Sequence, residues 1–260
     1  MGQIFEKRAK LSRTRLSSLV AKSQEKLDAR GEPLCIYVTG SYGRLEASDA
    51  SDLDLFFLLE SDDPKQLVKR LSWLRLSGEL IALVEELKFP DFSGDGEFLE
   101  VHNVARMQEQ LGSRTEDSEN TFTARLLLLL ESRPIFETER YSRLLRKAVD
   151  FYFEDFSDHK DAFRPTFLLN DILRFWRTLC INYEHHRRED RKDGGTKGLS
   201  CDEIRAKGEL KNLKLGFSRL NTCFSMVVPL AAMSAPVTAE HVVALANQSP
   251  LERWSDLVAP

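Results

Sequence analysis

The sequence predicts an α+β fold, with a small mixed β-sheet in residues 1–117 followed by an all-α helical bundle over residues 118–260. Three observations carry this. Two short apolar runs, Leu34 to Val38 and Leu53 to Leu59, have the length and composition of buried strands. A third strand pattern, Phe98 to His102, follows a helical stretch. From Val104 onward strand signals cease and helical spacing continues to the end of the chain. At 260 residues there is enough chain for one large or two modest cores.

The elements follow in order. Residues 3–29 place Ile4, Leu11, Leu16, Leu19, Val20 and Leu27 near helical spacing, and Gly31 and Pro33 end this leading helix. Its Arg8, Arg13 and Arg15 read as a solvated surface. After the two apolar runs, Ser61-Asp62-Asp63-Pro64 reads as a helix start, with acids in the first turn and proline early, and the helix runs to about Lys88. Phe89-Pro90 stops it, and Asp91 to Gly96 turns the chain into the third strand. Ser118-Glu119-Asn120 then opens a helix through the five leucines 126–130, an apolar run too wide for one face, placed where the two halves meet. Glu131-Ser-Arg-Pro134 terminates it. Residues 138–157, 164–188, 200–232 and 237–258 read as four further helices forming a bundle. The loop Glu189 to Gly198, centred on Asp193-Gly194-Gly195, reads as mobile.

Between the first two strands lies Thr39-Gly40-Ser41-Tyr42-Gly43-Arg44, then Ser51-Asp52-Leu53-Asp54-Leu55. A turn of small residues at the end of a strand exposes N–H groups and the Ser41 hydroxyl, the donors that cradle phosphate oxygens. Asp52 and Asp54 stand at i and i+2, which in a strand puts both carboxylates on one side. Paired hard oxygen ligands suit Mg²⁺, which neutralises phosphate charge and aligns the reacting oxygens in phosphoryl transfer. Glu100, flanked by apolar residues in the third strand, is the candidate third ligand; Glu97 and His102 are weaker ones.

Gly40-Ser41, ten residues, then Asp52-Leu53-Asp54 with a later acidic strand resembles the DNA polymerase β-type nucleotidyltransferase superfamily. The fuller string, Gly-Ser-Tyr-Gly-Arg-x-Glu…Ser-Asp-x-Asp, is most similar to the branch containing the uridylyltransferase of the nitrogen-signalling PII protein. Leu126-Leu-Leu-Leu-Leu-Glu-Ser-Arg-Pro, Asn170-Asp-x-x-Arg-x-x-Arg and Lys211-Asn-x-Lys-x-x-Phe-Ser-Arg look like the helical substrate-binding domain often fused to such catalytic domains. The resemblance implies a small sheet with helices on one side and acids at its open edge. It also implies transfer of an NMP from an NTP to an acceptor hydroxyl, with release of pyrophosphate (EC 2.7.7 type). In that reading Gly40, Ser41 and Arg44 hold the triphosphate. Asp52 and Asp54 ligate two Mg²⁺ or Mn²⁺ ions, and Glu100 binds the catalytic ion and helps deprotonate the acceptor. Lys211 or Lys214 neutralises the outer phosphates and Tyr183 stacks on the base, so substrate would lie in a cleft between the two halves. The acceptor, whether protein, RNA or small molecule, is left open.

Two further readings stand beside this one: a catalytically silent nucleotide- or RNA-binding regulator, and a toxin or defence enzyme acting on RNA or making a nucleotide signal. The bundle stripes Asn170, Arg174, Arg177 and Lys211, Lys214, Arg219 can equally be structural, paired with Asp171, Glu184 and Glu203. A net charge of −4 argues against a surface built wholly for nucleic acid. Cys35, Cys180, Cys201 and Cys223 show no metal or disulfide spacing, and His185-His186 point about 100° apart on a helix. No segment approaches the roughly 20 apolar residues of a membrane span, and the expected location is the cytoplasm.

Overall fold

The structure, a computed structural model, describes residues 2–92, 96, 99–193 and 200–258, without the side chains of residues 189–193 and 201. The chain divides into two units, Met1–Asp158 with Thr238–Ser249, and His159–Val237 with Pro250–Pro260.

The first unit opens with α1 (Gln3–Lys26), then β1 (Leu34–Val38), the single turn α2 (Gly40–Gly43) and β2 (Leu55–Leu59). Every residue of both strands is buried, because helices cover both faces of the sheet. α3 (Arg70–Glu86) leads to β3 (Val101–Asn103), the short helices α4 (Val104–Glu109) and α5 (Thr115–Ser118), and α6 (Thr121–Glu131). β4 (Arg133–Phe136) and α7 (Thr138–Asp150) follow, and a 3-10 turn over Glu154–Asp158 ends this stretch. The sheet runs β3-β2-β1-β4; β1 is antiparallel to β2 and β4, and β2 is parallel to β3.

One sheet face, Leu34, Ile36 and Val38 with Leu53, Leu55, Phe57 and Leu59, packs on Leu16 and Leu19 of α1 and Leu76, Leu80 and Leu83 of α3. The opposite face carries a lateral series of rings. Tyr37 stacks on Phe56 at 5.7 Å, Phe56 on His102 at 5.7 Å, and Tyr141 of α7 closes on Tyr37 at 6.0 Å. Helices therefore lie on both sides of the sheet, not on one.

Four elements depart from the sequence reading. β4 was read only as a helix terminator: it is four residues long and begins Arg-Pro, and proline suits the edge position it occupies beside Tyr37. The Ser61–Pro64 stretch is a turn, not a helix start. Ser61 Oγ accepts from the Asp63 N–H and Asp63 Oδ1 from the Lys65 N–H, so the donors an N-cap would serve are consumed locally, and α3 begins only at Arg70. β3 is shorter than its apolar pattern, starting at Val101 after Glu100. α6 lies within the first unit, beyond a division at residue 117, with buried residues on most sides.

In the second unit α8 (Thr166–Asp193) is followed by α9 (Cys201–Leu213), which runs through a π-helical segment, Lys214–Arg219, into α10 (Leu220–Ala232). α11 (Ala239–Ala246) returns to the first unit, and α12 (Pro250–Leu257) belongs to the second. Ile172, Phe175, Cys223, Met226 and Leu230 are buried here, and Arg253 of α12 donates to Ser225 Oγ at 3.2 Å. Of the loop read as mobile, Glu189 to Gly198, residues 189–193 continue α8, and residues 194–198 lie outside the described residues.

Candidate active site

The turn after β1 is shaped by two close approaches. Gly40 has φ +64°, and a Cβ there would lie 1.8 Å from Asp54 Oδ2. A Cβ on Gly43 would lie 1.8 Å from the main-chain oxygen of Glu131. Thr39 N–H donates to the Asp54 carbonyl at 2.8 Å, extending the β1/β2 ladder one residue past Val38 and Leu55. The glycine turn and Asp54, fourteen residues apart in sequence, are thus held against each other by the sheet.

Asp52 and Asp54 lie in the run leading into β2. Burial alternates along it: Leu53 (3% exposed) and Leu55 (2%) enter the core, while Asp54 is exposed and Asp52 half-buried. Asp54, held to Thr39 by the extended ladder, shares the parity of Phe56, on the ring-bearing face; Asp52 stands two residues earlier, ahead of the strand. Glu100 is exposed and one residue before Val101, which is level with Phe57; this puts Glu100 level with Phe56, two residues, or about 7 Å, along from Asp54. Among the described residues no group of three or more His, Cys, Asp or Glu gathers as a metal site. The pair Asp52 and Asp54 nevertheless fits Mg²⁺, which commonly takes one or two carboxylates and completes its shell with water and substrate phosphates. Glu100 also lines a cavity of about 310 Å³ with His102, Asn103, Arg106 and Thr121. His102 is 5% exposed, and burial pushes its imidazole down to about 4, so it is neutral at pH 7. Glu97 lies outside the described residues.

Arg44 faces inward. Its Nη1 donates to Glu131 Oε2 at 2.7 Å and its Nε to Glu46 Oε2 at 3.0 Å. Burial opposes the charge, but Glu131 and Glu46 outweigh it and hold the guanidinium charged. Glu131 Oε1 also accepts from the Gly40 N–H at 3.2 Å. Arg44 and the Gly40 N–H, the expected triphosphate ligands, are in contact with these carboxylates in the structure and so also support the turn. Ser41 stays partly exposed. The loop beyond the turn is tied to α1, where Ala47 N–H donates to Ser12 Oγ at 3.1 Å. Arg15 is likewise structural, donating to the Lys88 carbonyl at 2.8 Å with its guanidinium 4.0 Å from the Phe89 ring centroid.

The residue the sequence reading passed over is Glu131. It ends the five-leucine run and looked like a helix terminator; the available signal was a carboxylate abutting an apolar segment with an arginine upstream to pair with. Tyr183, Lys211 and Lys214 belong to the second unit. Tyr183 is half-buried, Lys211 is exposed near the end of α9, and Lys214 is exposed at the start of the π-helical segment. Asp171 is 3% exposed, and Arg174 stands 3.9 Å from it.

No protein-family model matches the chain, and no curated protein matches it.

Proposed function

We propose that the protein is a metal-dependent nucleotidyltransferase that moves an NMP from an NTP to an acceptor hydroxyl. The observation that carries the reading is the packing of the Asp54 carboxylate onto Gly40. It sets a phosphate-type turn against the Asp54 carboxylate, with Asp52 two residues before it. Bound by Asp52 and Asp54, Mg²⁺ or Mn²⁺ would neutralise triphosphate charge and align the oxygens. Ser41 and the turn's outward N–H groups would orient the phosphates. The acceptor oxygen forms the new bond to the α-phosphorus as the bond to pyrophosphate breaks, and Glu100, just ahead of the neighbouring strand, takes the acceptor proton. Lys211, Lys214 and Tyr183 are kept as candidate NTP ligands. Replacing both lysines by alanine should weaken NTP binding by about 1 to 3 kcal/mol, the range for charge-assisted bonds.

The separation of Glu100 from the aspartates favours a second reading, a nucleotide-binding protein without turnover. One experiment separates the two. The protein is incubated with each α-labelled NTP and Mg²⁺ or Mn²⁺, with and without cell lysate, and label is sought in protein, RNA and small-molecule fractions. Metal-dependent incorporation lost in Asp54→Asn supports the enzyme, nucleotide binding without incorporation supports the binder, and neither outcome leaves the turn and acids without a nucleotide role.

A further inference from the structure

The helix α3 is apolar on two opposite faces. Leu76, Leu80, Leu83 and Val84 enter the core of the first unit. On the other side Leu71 (68% exposed), Leu74 (54%) and Ile81 (44%) stand in the open with exposed Gly78 between them. The series 71, 74, 78, 81 alternates steps of three and four residues, the spacing of a seam between packed helices.

Gly78 has no use within its own subunit. A Cβ there would meet nothing within 4 Å and φ is ordinary, yet glycine is among the least favourable residues for a helix interior. A glycine at the middle of an exposed apolar seam lets a second helix come close.

The charges identify that helix. Arg70 and Arg75 lie toward the N-terminal end of α3 and Glu85 and Glu86 at its C-terminal end. Among the described residues the side chains of Arg70, Arg75 and Glu85 make no hydrogen bond or ion pair. An antiparallel copy of the same helix, related by a two-fold axis between Ser77 and Gly78, sets Leu74 level with the partner's Ile81. The same operation sets Arg70 level with the partner's Glu85, so each end of the seam carries one opposite-charge pair. A parallel copy would place arginine beside arginine.

From these observations we propose that α3 is the seam of a symmetric homodimer, two chains packing antiparallel across Gly78. The proposal is independent of the nucleotidyltransferase reading. It is tested by sedimentation of the full chain over a dilution series from micromolar to millimolar. The wild type is expected to double in mass with concentration, and Leu74→Glu to remain monomeric with unchanged circular dichroism. Arg70→Glu and Glu85→Arg should each weaken self-association at least about tenfold by setting like charges opposite. Mixed together, the two variants should form a heterodimer, because each supplies the sign the other lacks; this readout also shows that both are folded. Gly78→Leu gives an independent check, since the side chain has room within the subunit and fills the seam. A wild type that stays monomeric throughout, a dimer that persists in Leu74→Glu, or charge variants that fail to associate on mixing would each overturn the proposal.

Discussion

Replacing Glu131 should loosen the candidate site from beneath. The carboxylate has no exposed side-chain surface, and it accepts from Arg44 Nη1 at 2.7 Å and from the Gly40 N–H at 3.2 Å. In Glu131→Ala the Arg44 guanidinium, 8% exposed, keeps only Glu46 of its two carboxylate partners, and the Gly40 N–H loses its acceptor. Breaking a buried pair by removing one partner costs about 3 to 5 kcal/mol, and an orphaned buried donor about 1 to 3 kcal/mol. The two losses overlap, so a total near 5 kcal/mol is expected, a large share of the about 5 to 15 kcal/mol that stabilises a domain. Glu131→Gln is not a neutral replacement: with its oxygen kept on Gly40, its amide N–H group faces the Arg44 donor. Urea unfolding followed by circular dichroism reads the change as a lower midpoint at constant slope. The pairwise part comes from a cycle with Arg44→Leu and the double variant, where a coupling of about 2 kcal/mol is expected. A loss below about 1 kcal/mol in Glu131→Ala, or additive single losses in the double variant, would refute the supporting role of this pair.

Three further outcomes are expected. Asp52→Asn and Asp54→Asn should each lower transfer roughly a thousandfold or more, about 4 kcal/mol at 1.4 kcal/mol per tenfold, while leaving the melting temperature no lower. Near-normal turnover in a label-incorporation assay would remove them from the site. Gly43→Ala should destabilise by several kcal/mol in the same urea assay, because the new methyl would stand 1.8 Å from a main-chain oxygen; Gly208→Ala, where a Cβ meets nothing, should stabilise by about 1 kcal/mol. Cys35 is buried and its thiol is pushed up to about 12, mainly by burial, so native protein should leave it unlabelled by a thiol reagent at pH 8 while half-buried Cys180 reacts. Mass spectrometry of labelled peptides checks this, and early labelling of Cys35 would contradict the buried β1.

Where local pattern and tertiary packing agree, the chain could be read from sequence. β1 and β2 are continuous apolar runs because both faces are covered, and α1 carries its leucines at helical spacing. The outward placement of Asp54 follows from Leu53 and Leu55 entering the core on either side of it. What was missed depends on partners distant in sequence. β4 exists because Val38 and Tyr37 offer an edge to pair with, a fact absent from Arg-Pro-Ile-Phe itself. The pairing of Arg44 with Glu131 was not legible because nothing near Arg44 announces a partner 87 residues on. The distance between Glu100 and the aspartates depends on the register of β3 against β2, which no local pattern sets.

The return of α11 to the first unit bears on the order in which the protein can form during synthesis. The first unit spans Met1–Asp158, but its Thr238–Ser249 portion is made only after the second unit's residues 159–237. Val242, Leu245 and Ala246 are buried in the finished protein, and α7 and α6, against which α11 packs, leave the ribosome about eighty residues or more ahead of them. A nascent chain that has completed the sheet and its two acids therefore still presents an uncovered apolar surface, and must hold it soluble while an intervening helical unit is added. The candidate active site is encoded early, but the core that supports it closes late.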